Sequence, residues 1–318
     1  MRLLLATLIS CVTATQVLAA APPCQTIRIV APYTAGGITD IMIRMFMDRL
    51  ATALNRTIVI ENRTGGGSNI GSAFVAKSKP DGCTLLANGT MLATFPFTYS
   101  NLSYDPLKDL VPIGGIGATP SVIVSGVELP AKTLPELVKL SKDKPAGLTF
   151  AIGGLGLLQH LAVEVIGQQT GANFVKVVYP GSPNAVSDML TGRVDFGSFT
   201  FGAMSAMVQS GQLRALAVLQ EARTPLAPEI PTMVEQGLAP SDTRVQFMLF
   251  APAGTPNDVV STISTELHKI IADPALRPNF YKALIEPTPA TPEEGAALMK
   301  KTAEYWGPVI KSLKIETR

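Results

Sequence analysis

The chain has 318 residues, of which 47% are hydrophobic and 16% charged, so it can bury a large core, and its length suggests two domains. Its formal net charge of +2 is too small to indicate a nucleic-acid-binding surface, and no cluster of Lys and Arg alternates with aromatic residues. We therefore exclude nucleic acid as a partner.

Residues 1–19 have the pattern of a secretory signal peptide. Arg2 supplies a small basic region, an apolar run follows from Leu3 to Leu18, and Val17-Leu18-Ala19 offers small residues for cleavage after Ala19. A membrane anchor is disfavoured because the apolar run is short and interrupted. A lipoprotein box ending at Cys11 is the alternative, although it leaves an apolar region of only eight residues. The mature protein is expected in the periplasm.

The first half of the chain alternates short strands with glycine-rich turns and helices. Strands are predicted at residues 27–30, 57–61 and 84–87, and helices at residues 41–50 and 72–78. This alternation predicts a parallel sheet covered by helices on both faces. Because such sheets bind ligands at the carboxyl ends of their strands, residues 33–40 and 88–90 become candidate site segments.

The turn after the first strand is the strongest candidate for holding an anion. Gly36 and Gly37 allow positive φ and a close approach of the backbone to a ligand. Thr39 is predicted to cap the following helix, and Asp40 suits its first turn. Free N–H groups at a positive helix end would form an anion-binding nest. The alternative is an ordinary tight turn between a strand and a helix.

A second alternating series follows, and the last part of the chain is helical. Thr133 is predicted to cap a helix over residues 134–141. Further strands are predicted at 122–124, 148–151, 174–178, 195–198, 213–219 and 245–251, and further helices at 157–169, 184–190, 203–209, 258–272, 275–284 and 293–313.

Two cysteines, Cys24 and Cys83, remain after removal of the signal segment. They precede the first and third predicted strands, which are neighbours in the doubly wound strand order 2-1-3. An even pair in an oxidising compartment therefore predicts a disulfide between them, with two free buried thiols as the alternative. Two cysteines are too few for a zinc site, so we predict no metal and no cofactor.

Several motifs, in order along the chain, resemble those of the Bug receptors, the extracytoplasmic solute-binding proteins of tripartite tricarboxylate transporters. They are Ile29-Val30-Ala31-Pro32-Tyr33-Thr34-Ala35-Gly36-Gly37-Ile38-Thr39-Asp40, Val59-Ile60-Glu61-Asn62-Arg63, Pro80-Asp81-Gly82, Leu102-Ser103-Tyr104-Asp105-Pro106, Val178-Tyr179-Pro180-Gly181-Ser182, Leu213-Arg214-Ala215-Leu216-Ala217-Val218 and Ala251-Pro252-Ala253-Gly254-Thr255-Pro256. The resemblance covers essentially the whole mature chain.

The resemblance implies an α/β fold, a two-domain clamshell of the periplasmic-binding-protein type (type II), each domain a mainly parallel sheet flanked by helices. Domain 1 would comprise residues 20–121 and 245–318, and domain 2 residues 122–244. The implied function is not enzymatic: a monomer would capture a small organic mono- or dicarboxylate, with an aromatic body as one option. It would deliver this ligand to the membrane subunits of a tripartite transporter.

The resemblance also implies that two loops hold a ligand carboxylate, here residues 33–40 and 152–160. The second loop departs from the family pattern, because Leu155, Leu157 and Leu158 stand where small polar residues are common. This departure predicts a more apolar wall. Cys83 stands where the family often has Tyr. The predicted ligand-binding residues are Tyr33, Thr34, Ala35, Gly36, Gly37, Thr39, Asp40, Asn88, Thr90, Gly153, Gly154, Leu155, Gly156, Leu157, His160, Tyr179, Gly181, Ser182 and Asp195.

Some of these residues have a structural alternative. His160 would bond a neighbouring backbone group, Asp40 would stabilise its helix as a first-turn acid, and Asp195 would bond at a strand end near the cleft. Other functions are disfavoured. The glycines after the second strand give only a weak dinucleotide signal, and no activated nucleophile or metal constellation indicates an exported hydrolase. A sensor that presents its ligand to a membrane kinase remains the alternative to transport.

Overall fold

The computed structural model describes residues 22–179, 182–238 and 243–313, so the predicted signal segment lies outside the described residues. Strands and helices are numbered in chain order. The strands form two sheets, and each sheet with its flanking helices is called a lobe. The first sheet contains β1 (Thr26–Ala31), β2 (Thr57–Asn62), β3 (Thr84–Gly89), β4 (Leu110–Thr119), β10 (Val245–Pro252) and β11 (Glu286–Pro287). The second contains β5 (Ser121–Gly126), β6 (Leu148–Ile152), β7 (Phe174–Val178), β8 (Phe196–Thr200) and β9 (Leu213–Val218).

Helices cover the faces of both sheets, and the molecule has a two-domain α/β fold. The first lobe carries α1 (Ile38–Leu54), α2 (Asn69–Ala76), α3 (Phe95–Thr98), α8 (Asn257–Ala272), α9 (Arg277–Lys282) and α10 (Pro292–Leu313). The second lobe carries α4 (Leu134–Asp143), α5 (Leu158–Thr170), α6 (Ser182–Leu190) and α7 (Phe201–Gln209). Within the described ranges, no helix is long and apolar enough to cross a membrane.

The expectation of mainly parallel sheets is wrong, because both sheets are mixed. The order of the first sheet is β11-β4-β10-β3-β1-β2, in which only the β1–β2 and β1–β3 pairs are parallel. The second sheet, β7-β6-β8-β5-β9, likewise has a parallel half and an antiparallel half around β5. Each antiparallel pair includes a strand that lies next to a crossing between the lobes. Such a strand is not part of a strand–helix–strand unit, so nothing requires it to run parallel to its neighbour.

The chain passes directly from one sheet to the other at Pro120. Thr119 pairs with Val245 in the first sheet, whereas Ser121 pairs with Thr200 in the second. A second contact between the lobes is apolar. Leu158 of α5 packs there with Trp306 of α10, and both side chains are almost fully buried. Helix α10 therefore contacts both lobes.

The disulfide predicted between Cys24 and Cys83 is present, with a Cα–Cα distance of 6.0 Å. It follows from the sheet order, because β1 and β3 are parallel neighbours whose amino ends meet: Arg28 pairs with Thr84 and donates its N–H to the carbonyl oxygen of Cys83. The disulfide therefore ties together the amino ends of β1 and β3.

Candidate functional site

A cavity of ≈ 540 Å³ lies between the two lobes at the carboxyl ends of their parallel strands. This volume lies within the range of small-molecule sites. Its wall is largely apolar and includes Ile38, Ile41, Met91, Val245, Phe247 and Leu284 from the first lobe. The second lobe contributes Leu157, Gln159, Thr200, Gly202 and Ala203, and Thr119 lies at the crossing.

Three helices begin at this cavity. Ile38 is the first residue of α1, Leu157 is the N-cap of α5, and Thr200 is the N-cap of α7. The first N–H groups of an α-helix have no acceptor within the helix, and the helix dipole makes that end positive. In α7 the Phe201 N–H is already used, since it donates to the Pro120 carbonyl oxygen. None of the described residues that line the cavity is charged.

The first loop is held in place by its own groups. Gly36 has a φ of 77° and donates its N–H to Oδ2 of Asp40 over 3.1 Å, and Gly37 donates its N–H to the carbonyl oxygen of Thr34 over 3.1 Å. The predicted nest of free N–H groups is therefore wrong for these two glycines. Thr39 is not the N-cap either: Gly37 occupies that position, and the Thr39 hydroxyl is buried without a partner among the described residues.

Asp40 anchors this loop to α1. Its carboxylate, 3% exposed, accepts hydrogen bonds from Nε of Arg44 over 2.9 Å and from Gly36. The Arg44 hydrogen bond, and then that of the Gly36 N–H, holds the pKa of Asp40 below its usual range. Asp40 thus serves its own loop, as the structural alternative expected. Thr34, Ala35 and Gly36 are exposed outside the cavity wall.

Tyr33 is the predicted first-loop residue that lines the cavity, and Asn88 lies behind it. The Tyr33 hydroxyl donates to Oδ1 of Asn88 over 3.2 Å, and the Asn88 amide donates in turn to Ser68 and Ser72. Burial raises the pKa of Tyr33 to about 12. Since Asn88 is fully buried with its amide satisfied, it supports Tyr33 and does not line the cavity. Thr90 borders a separate small pocket beside Trp306.

The second loop repeats the arrangement of the first. Gly156 has a φ of 76° and donates its N–H to Nδ1 of His160 over 3.0 Å. Because Nδ1 accepts this bond, the proton of the neutral imidazole lies on Nε2, which is 3.1 Å from Oε1 of Glu164. The His160 bond lowers the pKa of Glu164. His160 is fully buried and holds the second loop in the way that Asp40 holds the first. Each side chain accepts the N–H of the glycine four residues before it.

The three leucines of the second loop lie in three different places. Leu157 lines the cavity, Leu158 packs in the apolar contact with Trp306, and Leu155 is 39% exposed. Of the three leucines predicted to form an apolar wall, only Leu157 therefore lines the cavity. Gly153 lines an adjoining niche, and Gly154 lies against Leu157, which a Cβ at position 154 would meet at 3.4 Å.

The remaining predicted residues do not line the cavity or lie outside the described residues. Tyr179 donates its hydroxyl to Asp188 and its N–H to the Ile152 carbonyl oxygen. Gly181 and the side chain of Ser182 are outside the described residues. Asp195 accepts from the N–H and hydroxyl of Thr149 at the amino end of β6. Its prediction near the cleft is wrong, because the cavity lies at the opposite end of β6 and β8.

The sequence matches the family described as "Tripartite tricarboxylate transporter family receptor" over residues 42–315. The chain belongs to this receptor family. One relative, "UPF0065 protein in tcbD-tcbE intergenic region" of Pseudomonas sp. (strain P51), is 32% identical over 294 residues, covering 92% of this chain and 88% of the relative. "Protein BugT" of Bordetella pertussis is 31% identical over 291 residues, covering 91% of this chain and 89% of the relative.

Solved structures of the receptor family share the fold. "R. palustris Rpa4515 with adipate" has a TM-score of 0.80 at 27% identity, covering 91% of this chain and 97% of the other. "MatC (Rpa3494) from Rhodopseudomonas palustris with bound malate" has a TM-score of 0.74 at 25% identity, covering 91% of this chain and 99% of the other. Tripartite tricarboxylate transporter receptors are periplasmic solute-binding proteins, not enzymes. The described residues of this receptor contain no group of three or more His, Cys, Asp or Glu arranged to hold a metal.

Several cavity residues of this receptor were missed by the sequence reasoning. Gln159, Thr200 and Ala203 line both the cavity and the adjoining niche. Thr200 is the last residue of β8, and a position at the carboxyl end of a strand is the same signal that selected Tyr33 after β1. Leu284 carries no such signal: it lies between α9 and β11 in a left-handed conformation and packs against the core of the second lobe.

Proposed function

We propose that this receptor captures a small organic carboxylate with a partly apolar body in the cavity between its lobes. It then delivers the ligand to the membrane subunits of a tripartite tricarboxylate-type transporter. One observation carries the proposal: three helix N-termini border a cavity whose described lining residues include no charged side chain. The predicted export signal at residues 1–19 agrees with this site of action.

Helix N-termini favour an anionic ligand over a neutral one. Their first N–H groups point along the helix axis and can donate to carboxylate oxygens, and the helix dipole adds to the attraction. Hydrogen bonds to a charged acceptor are roughly twice as strong as bonds between neutral groups. A carboxylate can therefore bind here without a Lys or Arg partner.

The apolar wall limits the rest of the ligand. Ile38, Met91, Leu157 and Phe247 offer hydrocarbon contacts on both sides of the cavity. A tricarboxylate such as citrate would bring further carboxylates against this wall without partners, which lowers affinity. Of the related receptors, one was solved with adipate and another with malate, and both ligands are carboxylates. An alkyl or aromatic mono- or dicarboxylate fits this combination.

A thermal-shift panel of organic acids tests the proposal. A ligand present at about 100 times its dissociation constant stabilises the folded protein by roughly 2.7 kcal/mol, which gives a clear shift. We expect alkyl or aromatic acids to stabilise more than citrate does. Absence of a shift with every acid would contradict the proposed function.

Two leucines of the same loop provide a matched pair of variants. Leu157→Ala removes hydrocarbon from the cavity wall and should reduce the shift given by apolar acids. Leu155→Ala changes an exposed side chain outside that wall and should leave the shift unchanged. Equal effects of the two substitutions would contradict the assignment of Leu157 to the ligand wall.

A further inference from the structure

A niche of ≈ 200 Å³ opens beside the cavity within the second lobe. The cavity and the niche share Leu157, Gln159, Thr200 and Ala203, so the two spaces adjoin. Gly153 and Ser198 line the niche but not the cavity. A ligand in the cavity could therefore extend a substituent between the first turns of α5 and α7.

Ser198 is the unusual residue of the niche. It is 1% exposed, and its hydroxyl has no hydrogen-bond partner among the described residues. Buried polar side chains in folded proteins are almost always hydrogen-bonded, so an unpartnered one calls for an explanation. Because side chains two residues apart on a strand face the same side, Ser198 and Thr200 lie on one face of β8.

Gln159 supplies a second polar group at the junction of niche and cavity. It is 7% exposed and lines both the niche and the cavity. His160, by contrast, is occupied on both ring nitrogens, by Gly156 and Glu164, so it offers nothing to a ligand. The available side chains of the niche are thus neutral groups that both donate and accept hydrogen bonds.

We propose that the niche is a subsite for one hydroxyl group of the ligand, and that Ser198 is its specificity-determining residue. The inference rests on the proposed function, because the carboxylate must first bind in the cavity. A ligand hydroxyl both donates and accepts, and it therefore matches the Ser198 hydroxyl and the Gln159 amide. The ligand class becomes a carboxylate that carries a single hydroxyl on an otherwise apolar body.

Matched acids with and without one hydroxyl test this subsite by calorimetric titration. The pairs are 3- and 4-hydroxybenzoate against benzoate, 4-hydroxyphenylacetate against phenylacetate, and malate against succinate. We expect at least one hydroxylated acid to bind the wild-type protein more tightly than its partner. Ser198→Ala should reduce this preference by roughly five- to tenfold, the loss expected from one neutral hydrogen bond, and leave the affinity for the unsubstituted acid unchanged.

Ser125→Ala is the matched control, because Ser125 is also a buried serine without a described partner but lines neither space. It should leave the preference unchanged, and unfolding temperatures verify that both variants are folded. An unchanged preference in Ser198→Ala, or no preference in the wild type, would overturn the subsite while the carboxylate site stands. Failure of every acid to bind would instead overturn the proposed function, and the subsite with it.

Discussion

The hydrogen bond between Asp40 and Gly36 is the part of the site that a single substitution can test most directly. Asp40→Ala removes the acceptor that holds the first loop at the positive φ of Gly36, and it also removes the ion pair with Arg44. Asp40→Asn keeps an oxygen that can accept the Gly36 N–H but loses the charge. The two variants therefore separate the hydrogen bond from the ion pair.

The expected losses in the free energy of unfolding follow from how exposed the Asp40 and Arg44 side chains are. The carboxylate of Asp40 is 3% exposed, and a hydrogen bond to such a charged group contributes about 1.5–3 kcal/mol. The Arg44 side chain is 60% exposed, so solvent screens its ion pair with Asp40, which adds little to stability. We expect the free energy of unfolding to fall by about 2–3 kcal/mol in Asp40→Ala and by about 1 kcal/mol in Asp40→Asn.

The stability lost when Asp40 is replaced should depend on pH in a defined direction. Because Arg44 and Gly36 lower the pKa of folded Asp40, its contribution to stability is fully present above the unfolded pKa, near 3.9. The contribution is lost as the pH falls through the lower pKa of the folded state. The difference in stability between the wild type and Asp40→Asn should therefore stay constant from about pH 5 to 8 and shrink below about pH 4.

Urea denaturation at several pH values provides the assay, and Asp48→Asn provides the control. Asp48 is an exposed acid on the same helix, and it makes no salt bridge to the described residues. Its substitution should change the free energy of unfolding by less than about 0.5 kcal/mol. Equal losses for Asp40→Asn and Asp48→Asn, or a loss in Asp40→Asn that persists unchanged at pH 3, would refute the reasoning.

Three further predictions concern other parts of the fold. Removing the Cys24–Cys83 disulfide, which closes a loop with a sequence separation of 59, should cost roughly 4 kcal/mol in urea denaturation. The unreduced, unfolded mature protein, which lacks Cys11, should show no alkylatable thiol. Gly71→Ala should lower the unfolding temperature, because the new Cβ would lie 2.7 Å from the Arg63 carbonyl oxygen. Gly167→Ala should raise it slightly, because Gly167 lies within α5 and the new Cβ would lie 3.5 Å from its nearest neighbour, the Ala172 carbonyl oxygen. Since folded Tyr33 keeps its proton to about pH 12, its contribution to stability is lost between about pH 10 and 12, and Tyr33→Phe should remove about 2–3 kcal/mol of that pH dependence.

The units in which a strand leads into a helix could be read from the sequence because their signals are local. Short β-branched runs ended by glycine turns predicted β1, β2 and β3, and the predicted cap at Thr133 is confirmed by the hydrogen bond that its side chain accepts from the Glu136 N–H. The order of β1 and β3 then predicted the disulfide. In each case neighbouring residues carry the information.

Strand β4 could not be read in this way, because its glycines serve distant residues. A Cβ at Gly114 would lie 3.1 Å from Leu267 of α8, and a Cβ at Gly117 would lie 2.7 Å from Ile285. These glycines allow close packing across the sheet, whereas in sequence they weaken a strand pattern. The antiparallel halves of both sheets were missed for a similar reason, since strands beside the lobe crossings are oriented by tertiary packing.

The candidate site was predicted in its loops and missed in part of its wall. The two glycine loops lie where the strand ends placed them, but the sequence does not reveal that Asp40 and His160 occupy the loop N–H groups. The error at Asp195 was avoidable, because a residue before a strand lies at the edge opposite to its carboxyl end. Ser198 carries no sequence signal, since a missing hydrogen bond is visible only in three dimensions.

The central claim, that helix N-termini bind a carboxylate without a cationic side chain, is tested most directly by titrating the receptor calorimetrically with one acid and its neutral amide. The acid is the one that gives the largest thermal shift, and the two compounds share the same hydrocarbon body. We predict that the amide binds at least about tenfold more weakly, because it replaces charge-assisted hydrogen bonds with neutral ones. Equal dissociation constants for the acid and the amide would contradict the account.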